Sequence, residues 1–566
     1  MASKSANFEI QVQKDGRWTT QSYIDGEDTA IAAAKRYLID KTCEGARVVR
    51  NWHRQDGRMV EKEIFCETRT LRDDGPIRIV EVDHAPAKCE TPNDYYGSQS
   101  RGMMNRIFRN YLEKTFVTPT ELIHNYKELK RIQDKDMLVP SAVDRIAFLQ
   151  CRDSGQDSRA RRDEIHKSVD TLSARARRAD ALRLPKLNGC FKDVVDAVAH
   201  MNEQDDADYL AMVVLSRDLV NVRNWLGKLD RLCRLAVQEG DSHALDLLDG
   251  VIADVLGANV VQEILGWQPS LASAIGRMLD LADGKLPLEK SAAGDSAEML
   301  NTLLRDGKLP ASRAVLIDRA LRQLKSANPL YRSDPSKERG AFGVVVERLL
   351  CPDGLLFGAD AADALTWRAT RLVEEGGQAG RRAAIALTAA AMPDKAYALV
   401  YLCELARTDY ARDCGADIMV QLERVLDCRG LNELCLRTLS AKDRLLRATM
   451  AHRIAAASVF PAELRGRITT MIDGVLEKYL IDEQVVEKLD HHESPLRDRA
   501  VRLVQFCAAG VLPEGRAMSR TRQRIVTLLR MPNFDAHFVD GIADPAQAQK
   551  TLRDFHQLLV RAGFGR

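Results

Sequence analysis

Apolar and polar residues alternate near the start of the chain, where Phe8, Ile10 and Val12 are separated by Glu9 and Gln11. A period of two predicts a strand with one buried face. Asp-Gly pairs at 15–16 and 56–57 are typical of hairpin turns, and the segment between the two hairpins has helical spacing. The pattern predicts a small antiparallel-sheet module in the order β-β-α-β-β, with strands at 8–13, 18–24, 46–53 and 59–66 and a helix at 28–39. A fifth strand at 77–82 is left open.

Beyond residue 100, every segment with a clear period has the spacing of an α-helix. Thr118 followed by Pro119 and Glu121 predicts a helix that begins with a capping box. The segment 396–403 is apolar on all sides, which predicts a helix enclosed by others. An amphipathic helix is predicted by an apolar stripe of residues three or four apart: Val222, Trp225, Leu226, Leu229, Cys233 and Ala236.

These patterns predict a mostly α protein. A small N-terminal α+β module is followed by an irregular HEAT/armadillo-like helical array or a large helical bundle. We assign the module to residues 1–82, a linker to 83–100, a helical domain to 101–330 and a helical-repeat-like domain to 331–566. The linker has two prolines and no period, and the boundary near 330 follows the prolines and glycines of residues 326–343.

Charge and composition argue against several classes of function. The 566 residues are 45% hydrophobic and carry a net charge of +2, so no overall field attracts nucleic acid or an anionic membrane. The start of the chain has no apolar signal segment, and the most apolar stretch, 383–392, is too short to span a bilayer. We therefore expect a cytoplasmic protein without membrane insertion. Twelve cysteines without a C-x-x-C pair favour neither a disulfide framework nor a zinc ribbon.

The sequence offers no clear catalytic or metal-binding motif. Gly97 and Gly102 have the spacing of a phosphate loop, but Met103 stands where its lysine is needed. Potential metal ligands cluster at 490–493 (Asp-His-His-Glu) and at 535–540, and both segments are interpreted as ordinary polar turns. We assign no catalytic residue, cofactor or metal.

Local basic patches are the remaining signal. Residues 159–186 carry an excess of five positive charges. A sharper patch, here called the basic ridge, consists of Arg516, Arg520, Arg522 and Arg524, with only Glu514 opposing it nearby in the sequence. Arg520 and Arg524 are one helical turn apart, which suits contacts with phosphates or an acidic partner peptide. A solvated face, a protein-binding face and a nucleic-acid-binding face all remain open interpretations of the ridge.

The favoured hypothesis is a non-catalytic adaptor or regulatory protein that binds other proteins through a helical-repeat surface, because such surfaces are extended and lack an enclosed pocket. One alternative is an enzyme or small-molecule sensor with a site where the N-terminal sheet meets the helices. Another is a nucleic-acid-associated protein that uses the basic ridge. We expect a protein partner rather than nucleic acid, and the oligomeric state is left open.

Overall fold

The computed structural model describes residues 7–14, 17–39, 43, 45–53, 59–68, 77–82, 84, 87–135, 137–152, 155–201, 205–287 and 294–564. The predicted Asp-Gly turns at 15–16 and 56–57 lie outside the described residues. The chain divides into two compact units: Met1–Ile79 with Lys135–Leu138, and Val80–Asp134 with Val139–Arg566. Each unit is described by itself.

The first unit contains the predicted β-β-α-β-β module. Its elements are β1 (Asn7–Lys14), β2 (Arg17–Ile24), α1 (Glu27–Ile39), β3 (Gly45–His53) and β4 (Met59–Thr68). The four strands form an antiparallel sheet in the order β2-β1-β3-β4. Alternate residues of β1 and the apolar face of α1 form its core, which includes Ile10, Val12, Ala30, Ala34 and Val48. The alternation at the start of the chain therefore predicts this unit correctly.

The fifth strand considered for residues 77–82 is wrong, because these residues form no strand. The backbone N–H of Val80 donates to the carbonyl of Ile107 at 2.9 Å. The carbonyl of Val82 accepts two hydrogen bonds from the Arg145 guanidinium, at 2.6 and 2.9 Å. Helical residues thus satisfy backbone groups that a sheet would otherwise pair.

The second unit is mostly helical. A 3-10 helix, Pro92–Tyr96, lies within the predicted linker. The α-helices up to residue 325 are α2 (Ser98–Ile107), α3 (Arg109–Thr115), α4 (Pro119–His124), α5 (Tyr126–Gln133), α6 (Leu138–Cys151), α7 (Ser158–Asp180), α8 (Phe191–Ala199), α9 (Ala207–Leu219), α10 (Trp225–Gln238), α11 (Ser242–Leu256), α12 (Val260–Leu265), α13 (Leu271–Ala282), α14 (Gly294–Arg305) and α15 (Pro310–Lys325).

The remaining helices continue to the end of the described chain after a 3-10 turn, Pro335–Lys337. They are α16 (Glu338–Leu349), α17 (Gly358–Ala369), α18 (Gly377–Ala391), α19 (Lys395–Leu405), α20 (Tyr410–Leu426), α21 (Leu431–Leu434), α22 (Ala441–Ala456), α23 (Ala462–Asp482), α24 (Val485–Leu489), α25 (Leu496–Ala508), α26 (Arg516–Leu529), α27 (Phe534–Phe538) and α28 (Pro545–Leu559), followed by a π-helical turn, Val560–Phe564.

One short hairpin interrupts the helices and corrects the expectation of an all-helical chain beyond residue 100. Strands β5 (Leu350–Cys351) and β6 (Gly354–Leu355) pair antiparallel between α16 and α17. The reversal passes through Gly354, whose φ of +130° lies where residues with a side chain are rarely found. The hydroxyl of Tyr397 donates to the Cys351 carbonyl at 3.0 Å, which ties the hairpin to α19.

A single hydrophobic cluster extends from Ala179 to Ala562 and includes residues on both sides of position 330. The predicted boundary at 330 stays a prediction. Every residue of α19 from Ala396 to Leu405 is buried, which confirms that this helix is enclosed. In the part of the chain that the structure describes, no helix is long and apolar enough to cross a membrane.

Candidate functional site

A cleft of about 270 Å³ lies between α2, α11 and α15. Four arginines line it, Arg101, Arg106, Arg109 and Arg322, together with two carboxylates, Asp254 and Asp318. We call it the arginine cleft. The sequence led us to expect function on the outer surface of the helices, whereas the helices leave a concave site between them.

The inner wall of the cleft is a buried polar network centred on Asp254. Its Oδ2 accepts hydrogen bonds from the backbone N–H of Thr120 at 3.0 Å and from the Thr120 hydroxyl at 2.6 Å. Arg101 Nη1 donates to the Thr120 hydroxyl at 2.6 Å and lies 3.5 Å from the same Asp254 oxygen. Burial raises the pKa of Asp254, and the Arg101 charge acts in the opposite direction. The network therefore holds the Arg101 side chain against the wall.

The predicted capping box at the start of α4 supports this wall and is confirmed. The Thr118 hydroxyl accepts from the Glu121 N–H at 3.1 Å, and the Glu121 carboxylate accepts from the Thr118 N–H at 2.8 Å. The second Glu121 oxygen pairs with Lys228 of α10, and both side chains are fully buried. A fully buried ion pair is costly to break because either partner alone is left as a buried charge. It fixes α4, and with it Thr120, against α10.

Two glycines of the α11 segment allow α2 to approach closely. A Cβ on Gly250 would lie 2.8 Å from Arg101 Nη2, and a Cβ on Gly257 would collide with the Asn105 amide. Asn105 instead donates to the Asp254 carbonyl at 2.9 Å. The absence of side chains at these two positions therefore brings the arginines of α2 to the surface of α11.

The opposite wall is α15. Arg319 is buried and donates to three carbonyls at the C-terminal end of α11, of Leu256, Gly257 and Ala258. This contact satisfies carbonyls that have no partner within the helix. Arg322, one turn further along α15, faces the cleft and pairs with Asp318 at 2.8 Å. The two arginines thus serve different purposes, one structural and one at the open site.

Positive charge in the cleft is only partly balanced. Arg109 pairs with Glu113 at 3.0 Å, whereas Arg106 makes no ion pair among the residues that the structure describes and donates only to the Gly102 carbonyl at 3.3 Å. Desolvation lowers the pKa of Arg322, and the charges of Arg106 and Arg109 lower it further. Burial, again with Arg109 and Arg322, lowers the pKa of Arg319 to about 10. The arginines are close enough to repel one another, which favours a bound anion between them.

The N-terminal end of α2 adds partial positive charge. Ser98 and Gln99 line the cleft, and no side chain of the described residues caps this end of the helix. By contrast, the first backbone N–H groups of α15 donate to Asp249, at 2.6 and 2.9 Å. Uncapped N–H groups at a helix start are a common anion contact. In combination with the arginines, they make the mouth of the cleft electropositive.

A second cavity, of about 340 Å³, lies on the other side of Arg101 and is lined by Tyr96, His124, Arg175 and Tyr209. Arg175 lies 3.7 Å from the centre of the Tyr209 ring and pairs with Asp205 and Asp206. His124 Nδ1 donates to the Thr120 carbonyl at 2.8 Å. Burial, followed by the charges of Arg101 and Arg175, lowers the pKa of His124 to about 3. His124 is therefore a neutral hydrogen-bonding residue behind the wall of the arginine cleft.

The predicted basic ridge lies on α26, and carboxylates from other elements face its arginines. Arg520 pairs with Glu487 at 3.3 Å, and Arg522 pairs with Glu514 at 2.6 Å. Arg524 pairs with Asp490, a buried carboxylate that also binds Arg499 at 2.7 Å. The backbone N–H of Arg516 donates to Asp473 at 2.7 Å. The structure thus brings the ridge together on one helix but pairs three of its four arginine side chains.

The other sequence candidates also take part in local structure. Gly97 is the N-cap of α2, so the segment with phosphate-loop spacing is a helix rather than a loop. Within the described ranges, no group of three or more His, Cys, Asp or Glu residues is arranged to hold a metal ion, including residues 490–493 and 535–540. In the basic patch at 159–186, Arg161 pairs with Glu164, and Arg175 with two aspartates.

Sequence reasoning missed the arginine cleft. Arg106 and Arg109 occupy one short segment, but Arg322 is more than two hundred positions away in the sequence. The sequence feature that could have indicated the cleft is the spacing of Gly250 in α11 and Gly257 at its end, which is typical of a helix that another segment approaches closely. It does not identify that segment. Comparisons with family models, curated proteins and solved structures find no match for this chain.

Proposed function

We propose that this protein is a non-catalytic regulatory protein that binds a small phosphorylated anion in the arginine cleft. The observation that carries the proposal is the convergence of four arginines on one cavity of about 270 Å³. Only two carboxylates are among the described residues that line this cavity. Guanidinium groups bind phosphate oxygens in pairs, and a partly desolvated site strengthens these hydrogen bonds. The volume is close to the lower end of ordinary ligand pockets, about 300 Å³, which suits a small ligand.

The geometry supports binding rather than bond cleavage. The lining side chains that carry charge are arginines held by helices, and the buried carboxylate, Asp254, is occupied by Thr120 and Arg101. An arginine remains protonated at neutral pH and therefore positions charge rather than transferring protons. A bound anion would link α2 to α15, and such a link stabilises the arrangement in which the two helices face each other.

Isothermal titration calorimetry with inorganic phosphate and pyrophosphate tests this proposal. We expect saturable binding that is tighter for pyrophosphate and weaker at high salt, because the contacts are electrostatic. Arg106→Gln and Arg322→Gln each remove a charged hydrogen bond, so each should weaken pyrophosphate binding about tenfold. Arg467→Gln is the matched control, because it removes an exposed arginine of α23 that pairs with Glu423 of α20. Absence of saturable binding, or equal affinity in Arg106→Gln and the parent protein, would contradict the proposal.

A second candidate function is protein binding by an adaptor, and exposed tryptophans favour it. Trp267 is 85% exposed between α12 and α13, and Trp367 is 46% exposed on α17. Tryptophan dominates the energetics of many protein interfaces, and solvent-exposed examples are uncommon. We propose that an irregular HEAT-like helical array presents these side chains. Consecutive helices that pack together, such as α10 with α11 and α22 with α23, support that arrangement.

Quantitative affinity purification tests the adaptor proposal with the parent protein and the variants Trp267→Ser and Trp367→Ser. We expect a protein that copurifies stoichiometrically with the parent and is depleted at least tenfold by one of the two variants. Equal recovery of every copurifying protein by all three would contradict it. We do not propose nucleic-acid binding by the basic ridge, because carboxylates pair with Arg520, Arg522 and Arg524.

A further inference from the structure

An apolar cavity of about 130 Å³ lies among α2, α4, α5, α6 and α7, on the face of α2 that carries Met103 and Ile107. Its lining is mostly apolar and includes aliphatic side chains such as Ile132, Val143 and Ile165. Val143, Ala147 and Ile165 form a hydrophobic cluster separate from the main core of the second unit. The cavity is therefore a distinct feature of this region, and it is not part of the arginine cleft.

Four of the polar lining residues, Cys89, Ser100, Gln150 and Arg161, contact one another and mark one end of the cavity. Cys89 Sγ lies 3.3 Å from the Ser100 hydroxyl, and Arg161 Nε donates to Gln150 Oε1 at 2.9 Å. Arg161 Nη2 also approaches the Cys89 carbonyl, at 3.5 Å. These contacts place the four residues together. The rest of the lining offers no charged group among the described residues. Apart from Tyr95 and Gln133, which donates to the Ser173 hydroxyl at 2.9 Å, it is apolar.

Positive charge exceeds negative charge at the polar end. Arg161 is buried and lies 2.8 Å from Glu164, and Lys88 lies 3.7 Å from the same carboxylate. Glu164 is 56% exposed, so it can turn toward solvent when another anion approaches Arg161. Two cations that share one carboxylate favour a ligand with a single negative head group.

We propose that this cavity binds a short aliphatic monocarboxylic acid, with its chain among the aliphatic side chains and its carboxylate on Arg161. An apolar cavity of about 150 Å³ is known to accept a ligand of benzene size, so a chain of about six carbons fits this volume. Each methylene that enters the cavity should improve affinity about fourfold, because it leaves water for an apolar surrounding. This site is independent of the proposed anion function and does not rest on it.

Calorimetric titration with propionate, butyrate, hexanoate and decanoate at constant ionic strength tests how affinity depends on the length of the ligand's alkyl chain. Affinity should rise about fourfold per methylene up to hexanoate and then level off, since the cavity is filled. Hexanol and hexylamine, which have the same chain length, should bind at least tenfold more weakly than hexanoate because they lack the carboxylate. No measurable binding of hexanoate, or equal binding of hexanoate and hexylamine, would overturn the proposal.

Two variants locate the site. Ala142→Leu fills the cavity from its wall and should abolish hexanoate binding without loss of thermal stability, since Ala142 faces the cavity. Ala174→Leu on the exposed side of α7 is the matched control and should bind hexanoate as the parent does. Arg161→Gln should reduce hexanoate affinity at least tenfold while the affinity for hexanol is unchanged, a contrast that a merely unfolded variant cannot produce. Unaltered hexanoate binding by Ala142→Leu would overturn the proposal.

Discussion

Two regions of the second unit each gather four arginines, and they differ in what surrounds them. On the basic ridge, Arg520 and Arg524 pair with Glu487 and Asp490 from other parts of the chain, and Arg522 pairs with Glu514 just before the same helix. In the arginine cleft, Arg101, Arg109 and Arg322 pair with Asp254, Glu113 and Asp318, and Arg106 has no carboxylate partner in the described part of the chain. The same residue type thus joins α26 to neighbouring segments in one place and converges on a concave cavity in the other.

The comparison shows that a run of basic residues is a weak indicator of a binding site. The ridge was the most basic short segment outside 159–186, yet Glu487 and Asp490 lie opposite it after folding. The cleft has its arginines spread over two distant segments, α2–α3 and α15, and the sequence does not reveal their convergence. Each region leaves one of its four arginine side chains without a carboxylate partner among the described residues. What distinguishes the candidate anion site is the convergence of its arginines on one cavity.

The largest predicted effect concerns the pairs that support each region. Lys228→Met should lower the free energy of unfolding by about 3–5 kcal/mol, because it leaves the buried Glu121 carboxylate without a partner below the cleft. Arg520→Met, at a pair whose side chains are 40% and 52% exposed, should cost at most about 1 kcal/mol. Urea denaturation followed by circular dichroism measures both. Similar losses of unfolding free energy in the two variants would contradict the expected difference between the buried Lys228–Glu121 pair and the exposed Arg520–Glu487 pair.

A pH dependence of the unfolding free energy is expected from His124, because burial disfavours its protonated form. Its pKa in the folded protein, about 3, lies below the ordinary value of 6.5, so the unfolded chain binds the proton first as the pH falls. The stability from neutral His124 is complete above pH 6.5 and is lost toward pH 3 by about 1.4 kcal/mol per pH unit. Between pH 6 and pH 4, His124→Asn should show a shallower decline than the parent in urea denaturation. An equal decline in the two proteins would contradict a buried, neutral His124.

A smaller effect is expected where α2 approaches α11. Gly250→Ala places a Cβ about 2.8 Å from Arg101 Nη2 and should cost about 2 kcal/mol of unfolding free energy, since the arginine must move. Gly276→Ala on α13 meets no heavy atom within 4 Å and should stabilise the protein by up to about 1 kcal/mol. Thermal or urea denaturation of the two variants measures this contrast. A gain in stability from Gly250→Ala would contradict the close approach described here.

The smallest effect is expected on the ridge. Arg520→Gln combined with Arg524→Gln should change pyrophosphate affinity less than about twofold, because these arginines pair with Glu487 and Asp490. Calorimetry of this double variant beside Arg106→Gln measures the difference. If the ridge variant lost more affinity than the cleft variant, the assignment of the two regions would be reversed.

Local features of the fold were predictable from the sequence. The capping box of Thr118 and Glu121, the enclosed helix at 396–403 and the alternating strands of the first unit each depend on residues close together in the chain. Local sequence determines such features because the hydrogen bonds and apolar faces involved span only a few residues.

The candidate site was not predictable, because it depends on contacts between residues far apart in the chain. Lys228 lies within a predicted amphipathic helix, but nothing near it in sequence indicates that Glu121 neutralises it in the core. The hairpin at 350–355 depends on the positive φ of Gly354 and on packing against α19. The arginine cleft requires α2, α11 and α15 to meet, and that meeting depends on tertiary packing.

We propose that this protein binds an anion in the arginine cleft and not on the basic ridge. Crystals soaked in tungstate, a heavy and doubly charged anion, test it most directly through the anomalous scattering of tungsten. The strongest anomalous peak is expected between Arg106 and Arg322, beside the N-terminal end of α2. A strongest peak against Arg520, Arg522 or Arg524, or a cleft without a peak in crystals that bind tungstate elsewhere, would contradict it.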